Sequence, residues 1–144
     1  MLDDLKGKKA VYYRLMPYDY LFQSVCFKIE ALYGKKLIEK NSEFIFSGCY
    51  LDGDDNSEEY PKFNKMIHDV ENGYIDVIIL RKISDFPGTV RDFLSFVSKI
   101  QESDHPVRII SISESFDTEK FKDNFFTLCC FVFTAYSEKE AHYG

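Results

Sequence analysis

"YIDVIILRKI", residues 74–83, is a near-continuous apolar run closed by Arg81 and Lys82. An apolar run without alternation is what a parallel sheet buries on both faces. Parallel strands need helical crossovers, so the sequence on either side should read as helix. It does. Upstream, "PKFNKMIHDVENG" (61–73) opens on a proline suited to a first helical turn, closes on Asn-Gly, and sets Phe63, Met66, Ile67 and Val70 on one side. Downstream, "TVRDFLSFVSKIQES" (89–103) is amphipathic through Val90, Phe93, Leu94, Val97 and Ile100.

The same alternation extends to both ends. "KKAVYYRL" (8–15) and "FIFSGCYL" (44–51) read as strands, the second carrying Gly48 as a bulge candidate. Between them, residues 21–37 place Val25, Ile29 and Leu32 at helical spacing and end in Gly-Lys-Lys. "PVRIISIS" (106–113) is a further strand, and residues 118–141 contain no breaker and read as one long helix. Alternating strand and helix is the sequence form of an α/β fold. The expectation is three layers: a mostly parallel central sheet of four to five strands, helices flanking it, and a long C-terminal helix. Residues 1–144 read as a single domain, with no internal repeat and no low-complexity linker.

Composition narrows the function classes. Fourteen Phe and ten Tyr with no Trp imply an aromatic core. A formal net charge of −6 argues against holding duplex DNA by phosphate neutralisation, which needs clustered Lys and Arg. Cys26, Cys49, Cys129 and Cys130 form neither a C-x-x-C pair nor a zinc ladder, and the adjacent two read as small buried thiols. His68, His105 and His142 pair with no ligand at metal spacing. "DGDDNSEE" puts Asp52, Asp54 and Asn56 at the first positions of a calcium loop, but Ser57 stands where glycine is needed and Phe63 where the bidentate glutamate belongs. No glycine-rich phosphate cradle occurs. No metal and no cofactor is expected, and neither a leader nor an eighteen-residue apolar span signals export or membrane insertion, so a reducing cytoplasm fits.

In open parallel sheets ligands gather beyond the carboxyl ends of the strands, where Arg14, Asp52 and "RKISD" (81–85) fall. The chemistry-bearing pieces come in a definite order: Tyr12, Tyr13, Arg14, Leu15 and Met16; then Asp52, Gly53 and "YPKF" (60–63); then Ser84, Asp85, Phe86, Pro87 and Gly88; then "ISISESFDT"; and finally "AYSEK" (135–139). This series resembles the catalytic domain of the resolvase/invertase serine recombinases over nearly the whole chain. The resemblance implies a mobile-element ancestry and a site-specific DNA recombination function. It implies a serine that attacks a DNA phosphodiester, with arginines holding the phosphate.

Against that pattern, the serine position holds Met16, whose thioether has no proton to lose, and three arginine positions hold Tyr60, Asp85 and Gly88. Arg14 and Asp52 remain, with Ser84 a third. Loss of one preorganised donor costs roughly 3–4 kcal/mol in a transition state, so three losses together should remove several orders of magnitude in rate. The expectation is a recombinase-like domain whose catalytic site is not intact. Tyr18 and Ser24 near the first strand, and Arg81 and Arg91 beside the emptied positions, are the candidates for a rescue. The plainer reading makes Tyr18 and Tyr20 packing aromatics and Arg81 a strand-end ion-pair partner.

The last helix is apolar around most of its circumference. The resemblance makes it the dimer interface, through Phe121, Phe125, Leu128, Cys129, Val132 and Phe133. Expected partners are a second copy and an active recombinase, with DNA reached only through a domain or partner outside residues 1–144 and no membrane contact. Two other readings stand beside this one: a divergent but active serine recombinase, and an unrelated flavodoxin-like module that binds a small molecule on a wholly parallel sheet.

Overall fold

The computed structural model describes residues 7–17, 23–54, 60–121 and 123–143. Strand β1 (Lys8–Pro17) leads into helix α1 (Gln23–Glu39), then β2 (Phe44–Asp54), α2 (Pro61–Glu71), β3 (Val77–Leu80) and α3 (Val90–Gln101). After these come β4 (Arg108–Ser111), β5 (Phe116–Asp117) and α4 (Phe125–Tyr143). The sheet order is β2-β1-β3-β4-β5. β1 pairs in parallel with β2 and β3, β3 pairs in parallel with β4, and β5 runs antiparallel to β4. The expected mostly parallel α/β sheet is therefore present, while the reversed β5 departs from the wholly parallel flavodoxin-like alternative.

Side-chain alternation divides the core. Ala10, Tyr12, Val77 and Ile79 face α1 and pack with Ile38. Val11, Tyr13, Ile78, Leu80 and Ile109 face the other way, onto Met66 of α2, Phe93 and Val97 of α3, and Leu128 and Val132 of α4. The aromatic core is real: Phe86 meets Phe63 and Phe93 edge to face, each at 4.9 Å between ring centroids. At Gly48 the pairing of β1 with β2 skips Ser47, and the glycine's φ of 145° supplies the bulge expected there.

Several expectations need correction. The stripe Val25, Ile29 and Leu32 faces outward, exposed by 51, 61 and 59%. The buried face of α1 is instead Glu30, Gly34 and Ile38, spaced four apart. A Cβ on Gly34 would lie 2.4 Å from Tyr12 Cδ2, so this glycine lets α1 settle onto β1. Glu30 is drawn inward by the hydroxyl of Tyr12 and by two arginines. Polar anchoring and close backbone approach set the helix rotation against its apolar pattern.

The C-terminal helix begins at Phe125 rather than at 118. Asn124 caps it by accepting from Thr127 N–H at 3.0 Å. Residues Thr118–Phe121 form a 3-10 turn behind β5. A bidentate pair from Arg108 to Asp117, at 3.0 and 2.6 Å, clamps β5 to β4. The strand expected over 74–83 narrows to Val77–Leu80. Its continuation folds into a 3-10 turn at Ile83–Asp85, where Ile83 N–H donates to the Glu114 carboxylate at 3.2 Å.

Candidate functional site

β1 delivers Tyr12, Arg14 and Met16 to the α1 side of the sheet, because every second residue of a strand shares a face. Arg14 Nη1 lies 3.0 Å from Glu30 Oε2 and 3.9 Å from Met16 Sδ. Its Nε lies 3.4 Å from Asp85 Oδ2. Arg81 reaches the same Glu30 at 3.4 Å and lays its guanidinium over the Tyr33 ring, 4.9 Å from the centroid. Tyr12 donates its hydroxyl to Glu30 Oε1 at 2.6 Å. Arg14, Arg81, Glu30 and Asp85 thus form one network of two cations and two carboxylates, the carboxylates buried, Arg14 partly buried and Arg81 half-exposed.

The network is imperfectly satisfied. Arg14 Nε and Asp85 Oδ2 are buried, and their separation lacks hydrogen-bond geometry. Burial pushes the Asp85 carboxyl above the ordinary aspartate range, opposed by the positive charges of Arg14 and Lys82. Burial, reinforced by Glu30, likewise raises the Tyr12 hydroxyl far above the ordinary phenol range. Tyr12 therefore stays a hydrogen-bond donor.

Asp52 is built for another job. Tyr13, on the opposite face of β1 from Arg14, donates to Asp52 Oδ2 at 2.9 Å. Lys62 and Phe63 N–H groups donate to the same carboxylate, each at 2.9 Å. Asp52 thereby satisfies the first turn of α2, a favourable place for a negative charge at the positive end of the helix dipole. Tyr60 precedes that turn as its half-buried N-cap residue.

Asp85 does meet Arg14, as their shared position at the rim suggested, whereas Ser84 sits half-buried on the same 3-10 turn. Gly88 has a φ of 95°, and a Cβ there would come within 2.5 Å of Asp92 Oδ2. Asp92 is engaged in a capping box with Thr89, accepting from Thr89 N–H at 2.8 Å and returning its own N–H to Thr89 Oγ1 at 3.2 Å. The turn into α3 is therefore formed around a glycine. Arg91 is exposed and lines the groove between α3 and α4. Tyr18, Tyr20 and the acidic segment 55–59 lie outside the described residues. Among the described residues no three His, Cys, Asp or Glu side chains gather at a metal-binding distance, and no helix is long and apolar enough to cross a membrane.

The expected interface residues divide. Leu128 and Val132 are fully buried in the chain's own core. Phe121 stacks on Phe116 at 5.6 Å, and Cys129 is half-buried. Phe125 and Phe133 stay exposed, joined by Phe126 at 78% exposure. Sequence reasoning placed Tyr12 in the first motif without its partner and missed Glu30 altogether. The only signal for Glu30 was a carboxylate four residues before a glycine in a helix otherwise read from its apolar residues.

The sequence model described as "Resolvase, N terminal domain" matches residues 31–142. No curated protein matches the chain. Among solved structures, the N-terminal catalytic domain of TP901-1 integrase is similar at a TM-score of 0.63 and 22% identity, covering 94% of this chain and 98% of that one. A resolvase family site-specific recombinase from Streptococcus pneumoniae matches at 0.63 and 21%, covering 94% of this chain and 90% of that one. These likenesses concern the fold. Together with the match to the family model over most of its length, they place the five-stranded sheet and its helices: this chain belongs to the resolvase N-terminal domain family, as a recombinase-like domain.

Proposed function

We propose that this recombinase domain does not cleave DNA strands and works as a self-associating, regulatory subunit of a recombination system. The observation that carries this reading is the engagement of Arg14 by the chain's own Glu30 at 3.0 Å and Asp85 at 3.4 Å. An incoming phosphodiester has to displace one carboxylate and then sit beside the other. At about 4 Å and an effective dielectric near 20, each unit-charge repulsion costs about 4 kcal/mol. Met16, 3.9 Å from Arg14, offers no ionisable oxygen as a nucleophile.

The self-associating part of the proposal rests on α4. Phe125 and Phe133 expose aromatic surface beside Val90 and Leu94 of α3, along a groove of about 910 Å³, and Phe126 adds an exposed ring on the same helix. A second copy, or the equivalent helix of an active recombinase, is the occupant this reading supplies. Residues 1–144 then act as one domain, and DNA is contacted through a separate domain or that partner.

The test is direct. A supercoiled plasmid carrying candidate recombination sites is incubated with the protein and assayed for covalent protein–DNA product, and sedimentation equilibrium is run in parallel. No covalent product together with a reversible dimer is expected. A protein-linked nick overturns the loss of cleavage, and a strictly monomeric chain at high concentration overturns the self-association.

A further inference from the structure

We propose that the groove between α1 and the open edge of β2 docks an extended segment of another protein, one in which apolar and acidic side chains alternate. β2 is a terminal strand of the sheet, and among the described residues its strand partner is β1. Its residues 44–51, Phe-Ile-Phe-Ser-Gly-Cys-Tyr-Leu, contain neither a charge nor a proline. Those are two of the main devices that keep an edge strand from pairing, and within 44–51 a third, the bulge at Ser47 and Gly48, is present. Unpaired backbone N–H and C=O groups along an edge select a strand, since only another extended main chain matches their spacing.

Beside this edge runs a groove of about 470 Å³ with Ala31, Leu32, Phe46 and Cys49 as its apolar surface and Lys28 and Lys35 at its rim. It exists because Glu30 and Gly34 turn α1 so that Leu32 points outward, 59% exposed. Lys35 Nζ stands 5.9 Å from the centre of the Phe46 ring. Side chains on one face of an added strand would enter the groove at every second residue.

Charge selects the occupant. The outer face of α1 carries Lys28, Lys35 and Lys36 against Glu39, a basic strip on a chain of net charge −6. An acidic segment complements it. A second copy does not: pairing two β2 edges about a two-fold axis brings the α1 helices alongside each other and sets like charges together. The Cys49 thiol, pushed up to about 11 by burial, makes the groove a packing surface rather than a thiolate site.

The experiment pans a phage-displayed random peptide library against the whole chain and, as counter-selection, against its Lys35→Glu variant. Enriched peptides are then measured by fluorescence anisotropy. Sequences alternating Val, Ile or Phe with Asp or Glu are expected. Their affinity should fall about tenfold or more in Leu32→Lys and Lys35→Glu, and hold in Lys65→Glu on the exposed face of α2. Both groove positions are exposed, so these variants keep the fold. The proposal is overturned by failure to enrich any peptide over the counter-selection, by peptides without acidic residues, or by affinity that survives Leu32→Lys. A dimer broken by Leu32→Lys but not by Phe126→Lys assigns the groove to a second copy and overturns it as well.

Discussion

Glu30 on α1 and Arg14 on β1 meet at 3.0 Å beneath the helix, with side chains only 8 and 15% exposed. This contact gives Arg14 a structural partner within the chain, beside Met16 at 3.9 Å. Glu30 and Asp85 need a buried counter-ion. Removal of Arg14 deprives Glu30 of its nearest counter-ion in a buried site and costs about 3–5 kcal/mol. Arg14→Met should therefore lower the urea-unfolding free energy by about that amount. Replacing Arg14, Glu30 and Asp85 together with apolar residues should cost less than Arg14→Met alone, and the reverse order would show that the network is not the source of the effect.

Asp85 gives the pH dependence a sign. Its carboxyl is raised in the folded chain by burial, so between the ordinary aspartate value of 3.8 and the raised folded value the native state binds more protons than the unfolded one. Stability contributed at this site is then lost as pH rises through that window. Asp85→Asn should raise the melting temperature at neutral pH, with the advantage shrinking as pH falls through that window and gone below the ordinary aspartate value of 3.8. Melting curves of the two proteins that stay parallel at all pH values would contradict the assignment.

Gly34 tests the rotation of α1. Alanine is the better helix former, by about 1 kcal/mol. Here its Cβ meets the Tyr12 ring at 2.4 Å, and overpacking of that kind costs about 1–3 kcal/mol. Gly34→Ala should destabilise the chain on chemical denaturation despite its helix propensity.

Gly88→Arg places an arginine at a position where the family resemblance expects one. At φ 95°, with Asp92 Oδ2 in the path of any Cβ, the substitution strains the turn by about 1–3 kcal/mol and competes with the Thr89–Asp92 cap. Lower thermal stability and no gain in sulfate binding are expected by calorimetry. Tight sulfate binding would show that the site is repairable by one residue.

Phe126→Lys should weaken self-association by about tenfold or more while leaving the melting temperature of dilute protein unchanged, because Phe126 is 78% exposed and outside the core. Sedimentation equilibrium across a concentration series measures it.

The order of strands and helices, the parallel sheet, the bulge at Gly48 and the place of Arg14 at the rim were legible in the sequence, because periodicity and breaker residues act over a few neighbouring positions. That the Met16 side chain carries no ionisable proton was equally legible, being a matter of residue identity. Which face of α1 is buried was not, since a glycine and a glutamate outweighed three apolar side chains only through their contacts with Tyr12, Arg14 and Arg81. Strand alternation puts Tyr13 and Arg14 on opposite faces of β1, but the sequence did not show that this gives Asp52 to α2 and Glu30 to the arginine. Strand β5, two residues long, is too short to carry a pattern and exists through the Arg108–Asp117 clamp. Helix rotation and ion pairing between distant segments are settled by packing in three dimensions, which local sequence does not encode.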